Sequence, residues 1–181
     1  RYYLREISVP DGYLIEQSVI PVEFTYENQF IAWQIVDCLH SDKQTTVEID
    51  KRAFASDSDT TFALPGATLT VTDWNGNVVD SWVSEMEPHV ITGLVVGKTY
   101  TLTETLPAPG YVTAESIRFT IADTGDIQPV EMKDDVTKVY VSKTDLTGKE
   151  ELEGATLVIL DSDGNIMERW TSTGEPHYIE M

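Results

Sequence analysis

The chain has one cysteine in 181 residues, Cys38. No disulfide can therefore close within it, and any covalent stapling must use other chemistry. Basic residues are also scarce: 12 Lys and Arg stand against 31 Asp and Glu, a formal charge of −19. That balance excludes nucleic acid and anionic membrane as partners, since both demand a basic surface, and it fits a soluble, mutually repelling extracellular protein. No apolar run approaches the length of a membrane span, and no signal peptide is present. The first residue is Arg1 rather than Met, which points to a fragment of something longer. His40, His89 and His177 show no metal-ligand spacing, so neither a metal nor a cofactor is expected. Helical periodicity is nearly absent.

What is present is alternation. Short runs of Val, Ile, Thr, Tyr and Leu recur between clusters of Gly, Pro, Asn and Asp, so the chain reads as all-β. Asp73-Trp74-Asn75-Gly76-Asn77 and Asp161-Ser162-Asp163-Gly164-Asn165 mark hairpin turns, their Asn-Gly and Asp-Gly pairs supplying positive φ. The second has a calcium-loop flavour, but its glycine falls too early and no Glu follows at the required distance. Repetition organises the rest. GATLTVTDWNGNVVDSW at 66–82 matches GATLVILDSDGNIMERW at 154–170, and Glu87-Pro88-His89 matches Glu175-Pro176-His177. ETLPAPGY at 104–111 matches EISVPDGY at 6–13, each followed by an alternating strand, SIRFTI or IPVEFTY. The chain thus carries one whole unit, 46–136, flanked by the back half of a unit at 1–45 and the front half of another at 137–181. The two halves are complementary and are expected to combine, either within the chain or between repeats.

Three polar residues fall on strand faces that should point inward. Lys51 follows Val47 and Ile49 in TTVEIDK, Glu104 follows Tyr100 and Leu102 in YTLTE, and Asp134 follows Val130 and Met132 in VEMKD, all with shared parity. An amine and two carboxyls buried together need a chemical reason. The pattern recurs in the flanking halves: Lys143 closes TKVYVSK, Glu6 closes YYLRE, and Asp42 lies nine residues before Lys51 as Asp134 lies nine before Lys143. Asp135 has the wrong parity to share the site. Burial disfavours charge, and neutral amine and neutral acid are the forms that condense to an amide. A third, protonated carboxyl beside them can move a proton from amine to leaving hydroxyl. A fixed near-attack geometry contributes on the order of 7–11 kcal/mol.

The order of SKTDLTG with EGAT, LTETLPAPGY, and VEMKDD before TKVYVSK resembles the Cna B-type, SpaA-like domains of Gram-positive surface adhesins and pilins, over essentially the whole chain. The resemblance implies a transthyretin-like, Greek-key β sandwich in tandem repeats, holding an intramolecular isopeptide bond between Lys and Asn or Asp assisted by Glu. Those roles fall on Lys51, Asp134 and Glu104, and in the flanking halves on Lys143, Asp42 and Glu6. The acceptor, often Asn in the family, is Asp here, so bond formation would release water rather than ammonia. The implied role is a non-enzymatic stalk or shaft module of a cell-wall-attached, extracellular fibre, its partners neighbouring repeats of the same protein.

The rival reading is an adhesin head that binds a host glycan or protein through loops at one end of the sandwich. Its one candidate loop is Ser56-Asp57-Ser58-Asp59-Thr60-Thr61. Leu64-Pro65-Gly66-Ala67-Thr68 has a faint likeness to a sortase signal, but nothing apolar or basic follows it and it reads as the start of a strand. Lys43 and Lys138 are expected in inter-unit linkers. Trp82, Trp170, Tyr13 and Tyr111 are expected to pack in the core or against turns.

Overall fold

The structure is a computed structural model that describes residues 2–24, 35, 37–39, 41–55 and 59–180. The strands of the first 54 residues are β1 (Tyr2–Arg5), β2 (Tyr13–Leu14), β3 (Val19–Val22), β4 (Lys43–Gln44) and β5 (Thr46–Phe54). β6 (Thr61–Ala63), β7 (Thr68–Thr72), β8 (Val78–Val83), β9 (His89–Thr92), β10 (Thr99–Leu106), β11 (Ile117–Thr120) and β12 (Ile127–Asp134) complete the central unit. β13 (Lys138–Val141), β14 (Thr156–Leu160), β15 (Ile166–Thr171) and β16 (His177–Glu180) follow. The chain divides into two compact units, one of residues 1–109 and 113–134, the other of residues 110–112 and 135–181.

In the first unit two sheets face each other. One runs β11-β10-β7-β8; the other runs β12-β5-β6, with β9 also on β5. β5 alternates strictly, with Val47, Ile49, Lys51 and Ala53 buried and the residues between them half-exposed. That is the period-2 pattern of a strand covered on one face. The core between the sheets joins Val47 and Ile49 to Leu69, Val71, Ile91, Leu94, Tyr100, Leu102, Ile121 and Met132. The first and last strands of the sandwich, β5 and β12, lie side by side and parallel along their whole length, from Thr46↔Ile127 to Ala53↔Asp134.

Both expected turns form. Asp73 Oδ1 accepts the backbone N–H of Asn75 and of Asn77, each at 2.8 Å, while Gly76 takes the positive φ of 85° that closes the loop. Asp161 does the same with Asp163 and Asn165 at 2.9 and 2.8 Å. Leu64 to Thr68 leads into β7, as read.

Several details differ from the sequence reading. β5 does not stop at Lys51 but runs on to Phe54, because Arg52–Phe54 pair with β6 and the Arg52 guanidinium holds the Thr61 hydroxyl and carbonyl, both at 2.8 Å. β10 likewise passes Glu104 to Leu106 through a register shift against β7. Lys43 lies in β4 and Lys138 opens β13, so neither is in an irregular linker. The strand read in IPVEFTY forms as β3, Val19–Val22, while Thr25 and Tyr26 of that segment, His40, and residues 56–58 of the acidic loop lie outside the described residues.

The second unit holds two two-stranded sheets, β13-β16 and β14-β15. They repeat the β5-β9 and β7-β8 pairs in register: Val139 faces Ile179 as Val47 faces Ile91, and Leu157 faces Trp170 as Leu69 faces Trp82.

Candidate crosslink site

The parity that places Lys51, Glu104 and Asp134 inward brings all three to one point. They are 3, 4 and 1 % exposed. Lys51, on β5, sends its amine across to the neighbouring β12, where Asp134 Oδ1 accepts a hydrogen bond from Nζ. On its other side the amine lies 3.0 Å from Glu104 Oε1, on β10 of the facing sheet. The site therefore bridges both sheets as well as the first and last strands of the sandwich.

Glu104 is oriented by a contact that sequence parity did not reveal. Its Oε2 accepts the backbone N–H of Ala114 at 2.6 Å, which turns Oε1 toward Lys51. Asp134 Oδ2 is buried and has no hydrogen-bond partner among the described residues. An orphaned carboxylate oxygen is costly in an interior, and protonation is the cheapest relief. Accordingly the Asp134 carboxyl is pushed up to about 6, first by burial and further by Glu104, against the opposing pull of Lys51. Burial thus shifts Asp134 toward the neutral acid, which is the electrophilic form, with an amine in contact. Asp135 points out of the site as its parity requires, accepting the Val136 N–H and pairing with Lys138 at 3.5 Å.

The second set of candidates is not assembled within one unit. Glu6 and Asp42 belong to the first unit and Lys143 to the second. Glu6 nevertheless repeats the Glu104 contact, its Oε2 accepting the backbone N–H of Glu16 at 2.9 Å. In both cases the donor lies ten residues on. The Lys143 amine lies 3.5 Å from the Thr144 carbonyl, and its backbone N–H donates to Glu151 Oε2 at 3.0 Å.

The aromatic residues have local roles. Trp82 packs against the core and stacks on His89 at 4.0 Å between ring centroids, while His89 Nε2 lies 2.8 Å from Asp80. Trp170, His177 and Glu168 repeat the arrangement at 4.5 and 2.8 Å. Tyr111 and Tyr13 are half-buried beside Val136 and Gln44 respectively, the two forming equivalent bridges. Among the described residues no cluster of His, Cys, Asp and Glu is arranged to hold a metal ion, and no helix is long and apolar enough to cross a membrane.

The family model for the SpaA prealbumin-like fold domain matches residues 41–136. The chain belongs to that family. Its match coincides with the central sandwich and contains Lys51, Glu104 and Asp134. Among solved structures, the Bacillus anthracis TIE protein is similar over 98 % of this chain at 22 % identity and a TM-score of 0.56, a likeness of fold. The chain spans 33 % of that protein's length. The shaft pilin SpaA of Lactobacillus rhamnosus GG aligns with 67 % of this chain and 63 % of its own, at 20 % identity and a TM-score of 0.44. BcpA, the major pilin subunit of Bacillus cereus, aligns with 54 % of this chain and 30 % of its own, at 19 % identity and a TM-score of 0.45. No curated protein matches the chain. As a SpaA-type domain the central unit is an all-β, prealbumin-like sandwich, in agreement with the strand pattern.

Proposed function

We propose that this SpaA-type chain is a structural shaft module of a Gram-positive cell-surface fibre, locked by an isopeptide bond between Lys51 and Asp134. The observation that carries the reading is the Lys51 amine, fully enclosed between the Asp134 carboxyl and Glu104. The neutral amine attacks Cγ of Asp134 and forms the N–C bond. Glu104 takes a proton from nitrogen and passes it to the departing hydroxyl, and one water leaves. Oδ2, the oxygen without a hydrogen bond, is the natural one to depart. The event happens once per molecule, so the domain has no turnover.

The bond fits load bearing because of strand order. β5 is the first strand of the sandwich and β12 the last, so tension applied along the chain would pass from Lys51 directly to Asp134 and bypass the core between them. Partners on this reading are neighbouring repeats. An adhesin-head role would turn on the loop at 56–61, and a fibre module needs no host ligand there.

The test is intact mass under denaturing conditions. The parent should be lighter than its sequence by one water, and Lys51→Ala should have its full sequence mass. A parent at full sequence mass would falsify the crosslink.

A further inference from the structure

Glu104 is the last residue of β10 whose side chain the ladder directs. Inward alternation runs through Tyr100, Leu102 and Glu104 and stops there, because β10 shifts register against β7 between Glu104 and Leu106. A register shift of this kind frees a side chain to be re-aimed. What then holds the carboxyl is the loop that follows. Ala114 N–H donates to Oε2 at 2.6 Å. Oε1 is buried, accepts no aligned hydrogen bond among the described residues, and lies 3.0 Å from the Lys51 amine. The two oxygens of this one carboxyl are therefore not equivalent.

The same clamp is built a second time from different side chains. Glu6 Oε2 accepts the Glu16 N–H at 2.9 Å, again from ten residues on. Between carboxylate and donor, the loops TLPAPGYVT and ISVPDGYLI share only a Gly-Tyr pair, with Gly110 and Gly12 at φ values of 88° and 86°. The donor itself changes from Ala to Glu. Loop length, the left-handed glycine and the oxygen that is held stay the same, as a contact made by backbone requires, since every residue but Pro carries that N–H.

We propose that the Ala114 backbone N–H is a positioning group for the crosslink, and that it makes Oε1 the single atom through which the Glu104 proton passes. The inference rests on the isopeptide reading above and assigns the oxygens within it. A free carboxyl could take a proton on one oxygen while giving one up from the other. Here the loop's N–H occupies Oε2, and an O–H placed there would set hydrogen against hydrogen. Lys51 reaches Oε1 from β5, and the Asp134 carboxyl on β12 is close enough to feel the Glu104 charge. Oε1 takes a proton from Nζ as the N–C bond to Asp134 Cγ forms. It returns that proton to the hydroxyl as the C–O bond breaks, and one water leaves.

Lactic acid in place of Ala114 makes the amide an ester and deletes only the N–H. The full chain is made by cell-free translation with the hydroxy acid introduced at position 114. After a short pulse, synthesis is stopped, the chain is moved to a series of pH values, and intact mass gives the fraction that has lost one water with time. The ester chain should join on the order of a hundredfold more slowly than the parent, as for a reacting group misplaced by about 1 Å. The acid limb of its rate–pH profile should also move to higher pH, because the carboxylate, still faced by Lys51 and Asp134, has lost a donor that favours its charged form. A parent that never loses water overturns the isopeptide reading and this inference with it. A parent that joins, beside an ester chain that joins equally fast, overturns the inference alone. So does a slower ester chain with an unmoved acid limb, which would make the amide a support for the loop and nothing more. If circular dichroism shows the ester chain unfolded, hydrogen exchange decides between two unjoined chains, Lys51→Ala with and without Glu104→Ala. The Ala114 amide should exchange about tenfold faster, relative to its neighbours, once Glu104 is gone. Equal protection in both chains means that Glu104 does not hold that amide, and the proposal falls.

Discussion

Lys51, Glu104 and Asp134 each sit where a strand would ordinarily place an aliphatic residue, and each is tolerable only because of the other two. The consequence is a pH signature specific to the unjoined state. In Glu104→Gln the amine and the Asp134 carboxyl should remain separate, with Asp134 still buried. Its folded-state pKa is shifted upward, to about 6 in the parent site from an ordinary 3.8. The folded state therefore holds that proton more tightly than the unfolded chain does. The resulting stability is complete below about pH 4 and is lost as pH rises above it, at or below the parent site's value of about 6, because Gln no longer supplies the share of the upward push that came from Glu104. Calorimetry should show the variant's melting temperature falling, relative to the parent, as pH rises from about 4. A parent in which Asp134 has become an amide should lack this component. Asp73 and Asp161, held below the usual carboxylate range chiefly by hydrogen bonds from Asn77 and Asn165, are common to both proteins and cancel in the comparison. An identical pH profile for variant and parent would mean that Asp134 titrates in both or in neither.

At the scale of elements, buried polar pins hold the strands to their neighbours. Ser84 is buried; its hydroxyl donates to the Leu64 carbonyl at 2.7 Å and accepts the Ala67 N–H at 3.0 Å. Ser84→Ala leaves the Ala67 N–H without a partner, and the expected cost is about 1–3 kcal/mol in urea unfolding. Ser172 makes the same two bonds, to Leu152 and Ala155, at 2.6 and 3.0 Å. The junction between the back half and the central sandwich depends on Gly12, whose φ is +86° and whose position leaves no room for a side chain beside the Gly93 backbone. Thr45 completes it, fully buried with its hydroxyl donating to the Leu94 carbonyl at 2.6 Å. Gly12→Ala should cost about 1–3 kcal/mol from φ alone, and hydrogen exchange should rise at the Thr45 and Gly93 amides. Protection unchanged at both amides would show that the junction is held elsewhere.

For the whole molecule, joining Lys51 to Asp134 ties residues 83 positions apart. By the chain-entropy estimate used for disulfides, closing a loop of that size stabilises by roughly 4–5 kcal/mol. Lys51→Ala removes this and strands two buried carboxyls, which typically costs about 3–5 kcal/mol more. The variant should melt at a markedly lower temperature and be cut by proteases under conditions that spare the parent. A variant as resistant as the parent would leave the bond without a mechanical role.

The alternating pattern around Val47, Ile49 and Lys51 was enough to identify a strand and its buried face, because side-chain direction in a strand depends only on parity. Local repetition likewise revealed the two half-units and both hairpin turns. Parity carries no information about which strands are neighbours. That β5 and β12 lie parallel in one sheet while β10 crosses in the other, so that three residues far apart in sequence meet at one amine, depended on long-range pairing. So did the Ala114 N–H that aims Glu104, since a backbone donor has no signature in residue type. The strand ends were misjudged for a related reason: Arg52 and Thr61 extend β5 through a tertiary contact. The inward direction of the three polar side chains was set by the sequence, and their meeting was decided by the fold.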